Sequence, residues 1–195
     1  DIVNGIDLAT DGGLTWIKPR SSAVSHSLYD TERGASRALI TTSPNGEADY
    51  NPYGLTSFNS DGFSLDEGGG YLVNASGTNY VSWTFRKASK FFDIVTYTGN
   101  GVAGREIAHE LGCDVGMIIV KCTSHASRNW IVYANPLGNT GNLYLNLTNA
   151  ASYVVGYWSN TTPTGTAFTI SDVLDVNGNG YEYIAYLFAH SPVAD

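Results

Sequence analysis

The sequence predicts an all-β chain, an antiparallel two-sheet β-sandwich of jelly-roll type. Three observations carry this. Apolar residues alternate with period 2 along most of the chain, and no segment repeats them at helical spacing over three turns. The alternating runs are short and end in Gly, Asn, Pro or Asp clusters. Composition agrees: 22 Gly, 13 Tyr and 4 Trp, with only 14% charged residues, describe a turn-rich, polar-uncharged chain.

In chain order the strands are expected at Leu14–Lys18, Ala38–Thr41, Asn79–Lys87, Phe91–Tyr97, Val115–Thr123, Asn129–Ala134, Asn142–Thr148, Tyr153–Trp158, Ala167–Ile170 and Tyr181–Phe188. In Asn79–Lys87 the apolar set Val81, Trp83 and Phe85 opposes Ser82, Thr84 and Arg86, which reads as a sheet with one wet side. Leu143, Leu145 and Leu147 oppose Tyr144, Asn146 and Thr148 in the same way. Arg105–Leu111, stopped by Gly112, fits either a helix of under two turns or a strand carrying Ile107, His109 and Leu111 on one face. Asp61-Gly62, Asn177-Gly178 and Asn179-Gly180 are hairpin signals, since left-handed turn positions favour these residues.

A chain of 195 residues suits one domain spanning 1–195, able to bury roughly 70% of its unfolded surface. Lacking an initiator Met and a secretory leader, it is expected to be a processed product or part of a larger protein. No apolar run reaches membrane-span length. The charge is −8, and no Lys or Arg follows Arg128, which argues against a nucleic-acid partner recognised through a basic face. Cys113 and Cys122 flank one extended run, farther apart than a disulfide spans, and are expected to be free buried thiols.

Gly99–Gly104 matches G-x-G-x-x-G, but no later helix exists to build a dinucleotide unit, so it reads as a turn. Asp175-Val176-Asn177-Gly178-Asn179-Gly180 reproduces the first half of a calcium loop, and Tyr186 stands where the closing Glu belongs. A weak calcium site of Asp175, Asn177 and Asn179, completed by Asp172 or Glu182, is one reading; a tight hairpin is the other. None of the expected strands carries the two carboxylates that glycoside hydrolysis needs, and no nucleophile elbow, P-loop or H-E-x-x-H occurs. His26, His109, His125 and His190 are scattered singly. Trp158, Tyr157, Trp130 and Tyr133 are candidate sugar-stacking aromatics with Asn135, Asn139 and Asn160 beside them, although the same residue types also build cores.

Several segments in fixed order carry a resemblance: Gly13-Leu14-Thr15-Trp16-Ile17-Lys18, His26 to Gly34, Leu55 to Phe63, Tyr80-Val81-Ser82-Trp83, Ile107 to Gly112 running into Met117 to Lys121, and Tyr183 to Ala189. Together they resemble a lectin-like or laminin-G-like jelly roll, of concanavalin A type, found in bacteriophage tail-fibre and virion structural proteins, particularly marine ones. Cys113-Asp114-Val115 departs from that pattern, where a proline-containing turn is expected. The resemblance implies a non-enzymatic virion structural module on a tail fibre, appendage or particle surface. Its expected partners are copies of itself, other virion proteins and host-surface glycans, with no nucleic acid and no membrane insertion. A purely structural protein and a glycoside hydrolase are the alternatives. The resemblance also implies that Asp30 and Arg33 brace a long connection by a charge-assisted hydrogen bond.

Overall fold

A computed structural model describes residues 1–66, 73–153 and 156–190. The chain is all-β, built from antiparallel sheets, and divides into two compact units. The first comprises Asp1–Thr42 and Glu47–Lys87; the second comprises Ser43–Gly46 and the chain from Ala88 onward.

The first unit begins with β1 (Ile2–Val3) and a single helical turn, α1 (Leu8–Asp11). Asp7 caps that turn, its side chain accepting from the Thr10 amide at 2.9 Å. Then come β2 (Gly13–Pro19), β3 (Ser27–Asp30), β4 (Arg37–Ile40), β5 (Ala48–Asp49), β6 (Leu55–Asn59), β7 (Gly62–Leu65) and β8 (Tyr80–Arg86). One sheet has the order β5-β4-β3-β2-β8 and the other β1-β7-β6. Leu8 of α1, Val73, and Ile17, Tyr29, Ala38, Leu55 and Phe63 from the two sheets form one core. The Asp61-Gly62 signal becomes the β6–β7 turn. A β-carbon at Gly62, whose φ is +154°, would stand 1.9 Å from the Ile2 carbonyl oxygen, so only glycine lets β1 pair there.

The second unit contains β9 (Phe92–Thr98), β10 (Arg105–Ala108), β11 (Val115–Cys122), β12 (Ile131–Ala134), β13 (Leu143–Tyr144), β14 (Ala167–Ile170), the turn-length helix α2 (Leu174–Asn177) and β15 (Glu182–Ala189). Its main sheet has the order β13-β12-β11-β15-β9, and β10 and β14 form a second, two-stranded sheet. Ile118, Val120 and Cys122 of β11, Ile107 of β10, Phe168 and Ile170 of β14, and Tyr183, Ala185 and Leu187 of β15 share one core. Of the ambiguous Arg105–Leu111 segment, Arg105–Ala108 is therefore a strand, paired with β14.

Three expectations give way. The strand expected to run to Thr148 ends at Tyr144: the Leu145 amide still donates to the Trp130 carbonyl at 3.2 Å, but the Trp130 amide is taken by the Asn146 side chain at 3.0 Å. Asn177-Gly178 ends α2 instead of turning a hairpin, with the Tyr97 hydroxyl donating to the Val176 carbonyl and the Tyr183 hydroxyl to the Leu174 carbonyl. The expected strand Tyr153–Trp158 includes Val154 and Val155, which lie outside the described residues; residues 157–160 form a turn. Both thiols are free, Cys122 buried and Cys113 half-buried.

Candidate functional site

The four aromatics expected to stack on sugars are not on the surface. Trp130, Tyr133, Tyr157 and Trp158 are each at most 3% exposed. Tyr133 and Trp158 meet edge to face at 5.6 Å, the Trp158 indole donates to the Gly141 carbonyl, and the Trp130 indole donates to the Ser43 carbonyl. Burial raises the phenol pKa of both Tyr133 and Tyr157. Their large apolar area is worth more inside the second unit's core than in water, and their polar tips find partners there.

Three of the five residues of the calcium reading, Asn177, Asp175 and Glu182, make hydrogen bonds within the protein. The Asn177 amide, fully buried, accepts from the Asn100 amide at 2.9 Å and donates to the Val102 carbonyl at 2.9 Å. Asp175 accepts from the Asn129 amide, and Glu182 accepts from the Thr98 hydroxyl with both oxygens. Asp172 and Asn179 are exposed. Among the described residues, no group of three or more His, Cys, Asp or Glu side chains could hold a metal. The loop thus ties α2 to its neighbours through hydrogen bonds.

Asp30 and Arg33 do come together. The Arg33 guanidinium lies 2.6 Å from Asp30 Oδ2, and its backbone amide donates to Oδ1. Both side chains are buried, and Arg33 also reaches Glu47 at 3.1 Å and the Leu28 carbonyl. Arg37 extends the network to Glu47 at 2.7 Å and Asp49 at 3.6 Å. The fork of the guanidinium ties the end of β3 to the segment before β5.

The first unit also presents an aromatic platform. Trp16 of β2 pairs directly with Trp83 of β8, the edge strand, and their rings meet at 6.4 Å and 75°. The His26 ring stands against Trp16 at 5.8 Å, and its Nδ1 accepts the indole N–H at 2.8 Å. Trp83 is 46% exposed, with Trp16 and His26 half-buried. The β8 face that reads as buried from its Val81, Trp83, Phe85 pattern is therefore partly open: Val81 and Phe85 are half-buried and Trp83 exposed. Desolvation, then the positive charge of Lys18, lowers the His26 pKa, which keeps Nδ1 an acceptor. Sequence reasoning placed Trp83 in the core because alternation marks a face without saying whether anything covers it.

A cleft of about 570 Å³ in the same unit is lined by Leu8, Gly12, Thr31, Glu32, Phe58 and Lys87, among others. Its charges are matched locally, Lys87 to Glu32 at 2.9 Å and nearby Arg86 to Asp11 at 2.8 Å.

One further residue gave no signal in the sequence. Lys121 of β11 is completely buried, donating to the Pro44 carbonyl at 2.9 Å and the Arg128 carbonyl at 2.7 Å, with Nζ 5.8 Å from the Trp130 ring centre. Burial lowers its pKa to about 8.

The chain belongs to the family described as Domain of unknown function (DUF7483), whose model matches residues 2–192. No curated protein and no solved structure matches it.

Proposed function

We propose that the chain is a non-enzymatic structural module of a bacteriophage virion, on a tail fibre, an appendage or the particle surface, that attaches to host-surface glycans through Trp83 and Trp16. The observation that carries the attachment reading is the Trp83 indole, 46% exposed at a sheet edge and held in place by Trp16, which His26 locks in turn. An oriented aromatic ring open to solvent offers a flat apolar face to a sugar ring without the entropic cost of ordering it on binding.

The virion assignment, the lectin-like or laminin-G-like jelly roll and assembly with copies of itself rest on the family resemblance. The non-enzymatic reading is supported by how the buried carboxylates are used. Asp30 is bound by Arg33, and Asp93 accepts the Glu110 amide at 2.7 Å. Half-buried Asp175 likewise holds the Asn129 amide.

The test is incubation of the chain with a panel of immobilised bacterial surface polysaccharides, measuring retention and released reducing ends together. Retention that Trp83→Ala abolishes, without release, supports the reading. Release of reducing ends replaces it with a glycoside hydrolase, and no retention on any member leaves a purely structural protein.

A further inference from the structure

We infer that the Trp83 platform takes an acidic saccharide, one carrying a carboxylate or sulfate beside the sugar ring that lies on the indole; this rests on the glycan-attachment reading and narrows it. Acids outnumber Lys and Arg by 18 to 10 in the chain, yet the platform sits in a part of the sequence without them. Residues 13–27 hold Lys18, Arg20 and His26 and no Asp or Glu; residues 79–87, the whole of β8 and its ends, hold Arg86 and Lys87 and again no acid.

The placement of these charges matters more than their number. Side chains two apart on a strand share a face, so Lys18 lies on the same side of β2 as Trp16, about 7 Å along it. It is close enough to His26 for its charge to lower that ring's pKa. The Lys18 ammonium donates to the Pro19 and Ser22 carbonyls, which fixes it near the end of β2 and leaves one N–H free. Arg20 follows directly, exposed, its backbone amide held by the Asn79 carbonyl at 2.7 Å. Arg86 and Lys87 already face Asp11 and Glu32, whereas neither Lys18 nor Arg20 has a carboxylate within salt-bridge distance among the described residues.

A sugar ring seated on Trp83 and Trp16 would thus meet cations at one end of the platform and no carboxylate on either strand. A neutral sugar gains the stacking alone; an acidic one gains the stacking and a charge-assisted hydrogen bond. Single-stranded nucleic acid combines the same two chemistries, but Lys18 and Arg20 alone beside the ring do not make the basic groove that tracks a polyphosphate backbone.

The experiment is a tryptophan-fluorescence titration of the full chain with oligogalacturonate, the neutral oligogalactose of equal length, its sulfated form, and oligothymidine. The acidic sugars are expected to bind at least about tenfold more tightly than the neutral one, with the gap closing as ionic strength rises from about 0.01 to 0.15 M. Lys18→Gln with Arg20→Gln should remove the gap. Arg20→Gln alone, which touches no fold contact, should narrow it. Equal affinity for acidic and neutral sugars overturns the acidic preference while the platform stands. No binding of any saccharide overturns both, and tighter binding of oligothymidine replaces the saccharide with a nucleic acid.

Discussion

The Trp16 indole N–H donates to His26 Nδ1 at 2.8 Å, so the orientation of the platform depends on a histidine nitrogen that must stay unprotonated. Burial and Lys18 place the folded-state pKa of His26 below its ordinary value. The unfolded chain therefore binds more protons in the window below about pH 6.5, and stability falls as pH drops through it. Trp emission followed from pH 7.5 to about 4.5 should shift as His26 titrates, and His26→Phe should flatten that shift. An identical pH profile in the variant would separate the platform from His26.

Arg33→Ala takes from fully buried Asp30 the guanidinium that lies 2.6 Å from its Oδ2, and leaves Glu47 with Arg37. Removing one partner of a buried pair costs about 3–5 kcal/mol. Arg33→Lys should recover part of this, because a point charge replaces the fork but cannot reach Asp30, Glu47 and the Leu28 carbonyl at once. Urea denaturation of the three proteins measures the difference directly.

Lys121 predicts a rise in stability with pH. With its pKa lowered to about 8 in the fold, the unfolded lysine holds more protons between about pH 8 and 10.5, so the native state gains there, by at most roughly 3 kcal/mol. Lys121→Met should abolish this rise and lower stability at neutral pH by about 1–3 kcal/mol, through the unmatched Pro44 carbonyl. Denaturation at pH 7.5 and 9.5 for both proteins isolates the lysine from other titrating groups.

Trp130→Ala distinguishes core from surface. A completely buried Trp that also donates to the Ser43 carbonyl should cost about 3–5 kcal/mol on truncation, whereas Trp83→Ala should cost far less and act mainly on binding. Parallel melting curves for the two variants provide the comparison.

The all-β class was legible because period-2 alternation and turn residues are local signals, and most of the long strands lie close to their expected places. Short strands such as β1, β5 and β7 were not, since two to four residues hold too little pattern. The site was harder to read. Trp16 and Trp83 are 67 positions apart in sequence, and their meeting depends on the β2–β8 register, which no local rule supplies. Residue type does not separate core from surface: Trp130 and Trp158, candidates for either, fill the core, while Trp83, on the face that alternation marks as buried, is 46% exposed. Lys121 sits at a position where alternation allowed either solvent or interior, and only the carbonyls of Pro44 and Arg128 make the interior tolerable for an ammonium.

The four residues Ser43–Gly46 belong with the second unit although the chain around them belongs to the first. They supply the acceptors for the Lys121 ammonium and the Trp130 indole, and the Gly46 backbone lies so close to the Thr123 carbonyl that a β-carbon would sit 2.3 Å from that oxygen. A gene fragment opening at Ala88 would encode β9 to β15 without the backbone that satisfies a buried cation. Recombination that cuts just before Ala88 would therefore yield a second unit lacking those acceptors, and the sequence is expected to be inherited as an undivided block. The family's match to residues 2–192 has that extent.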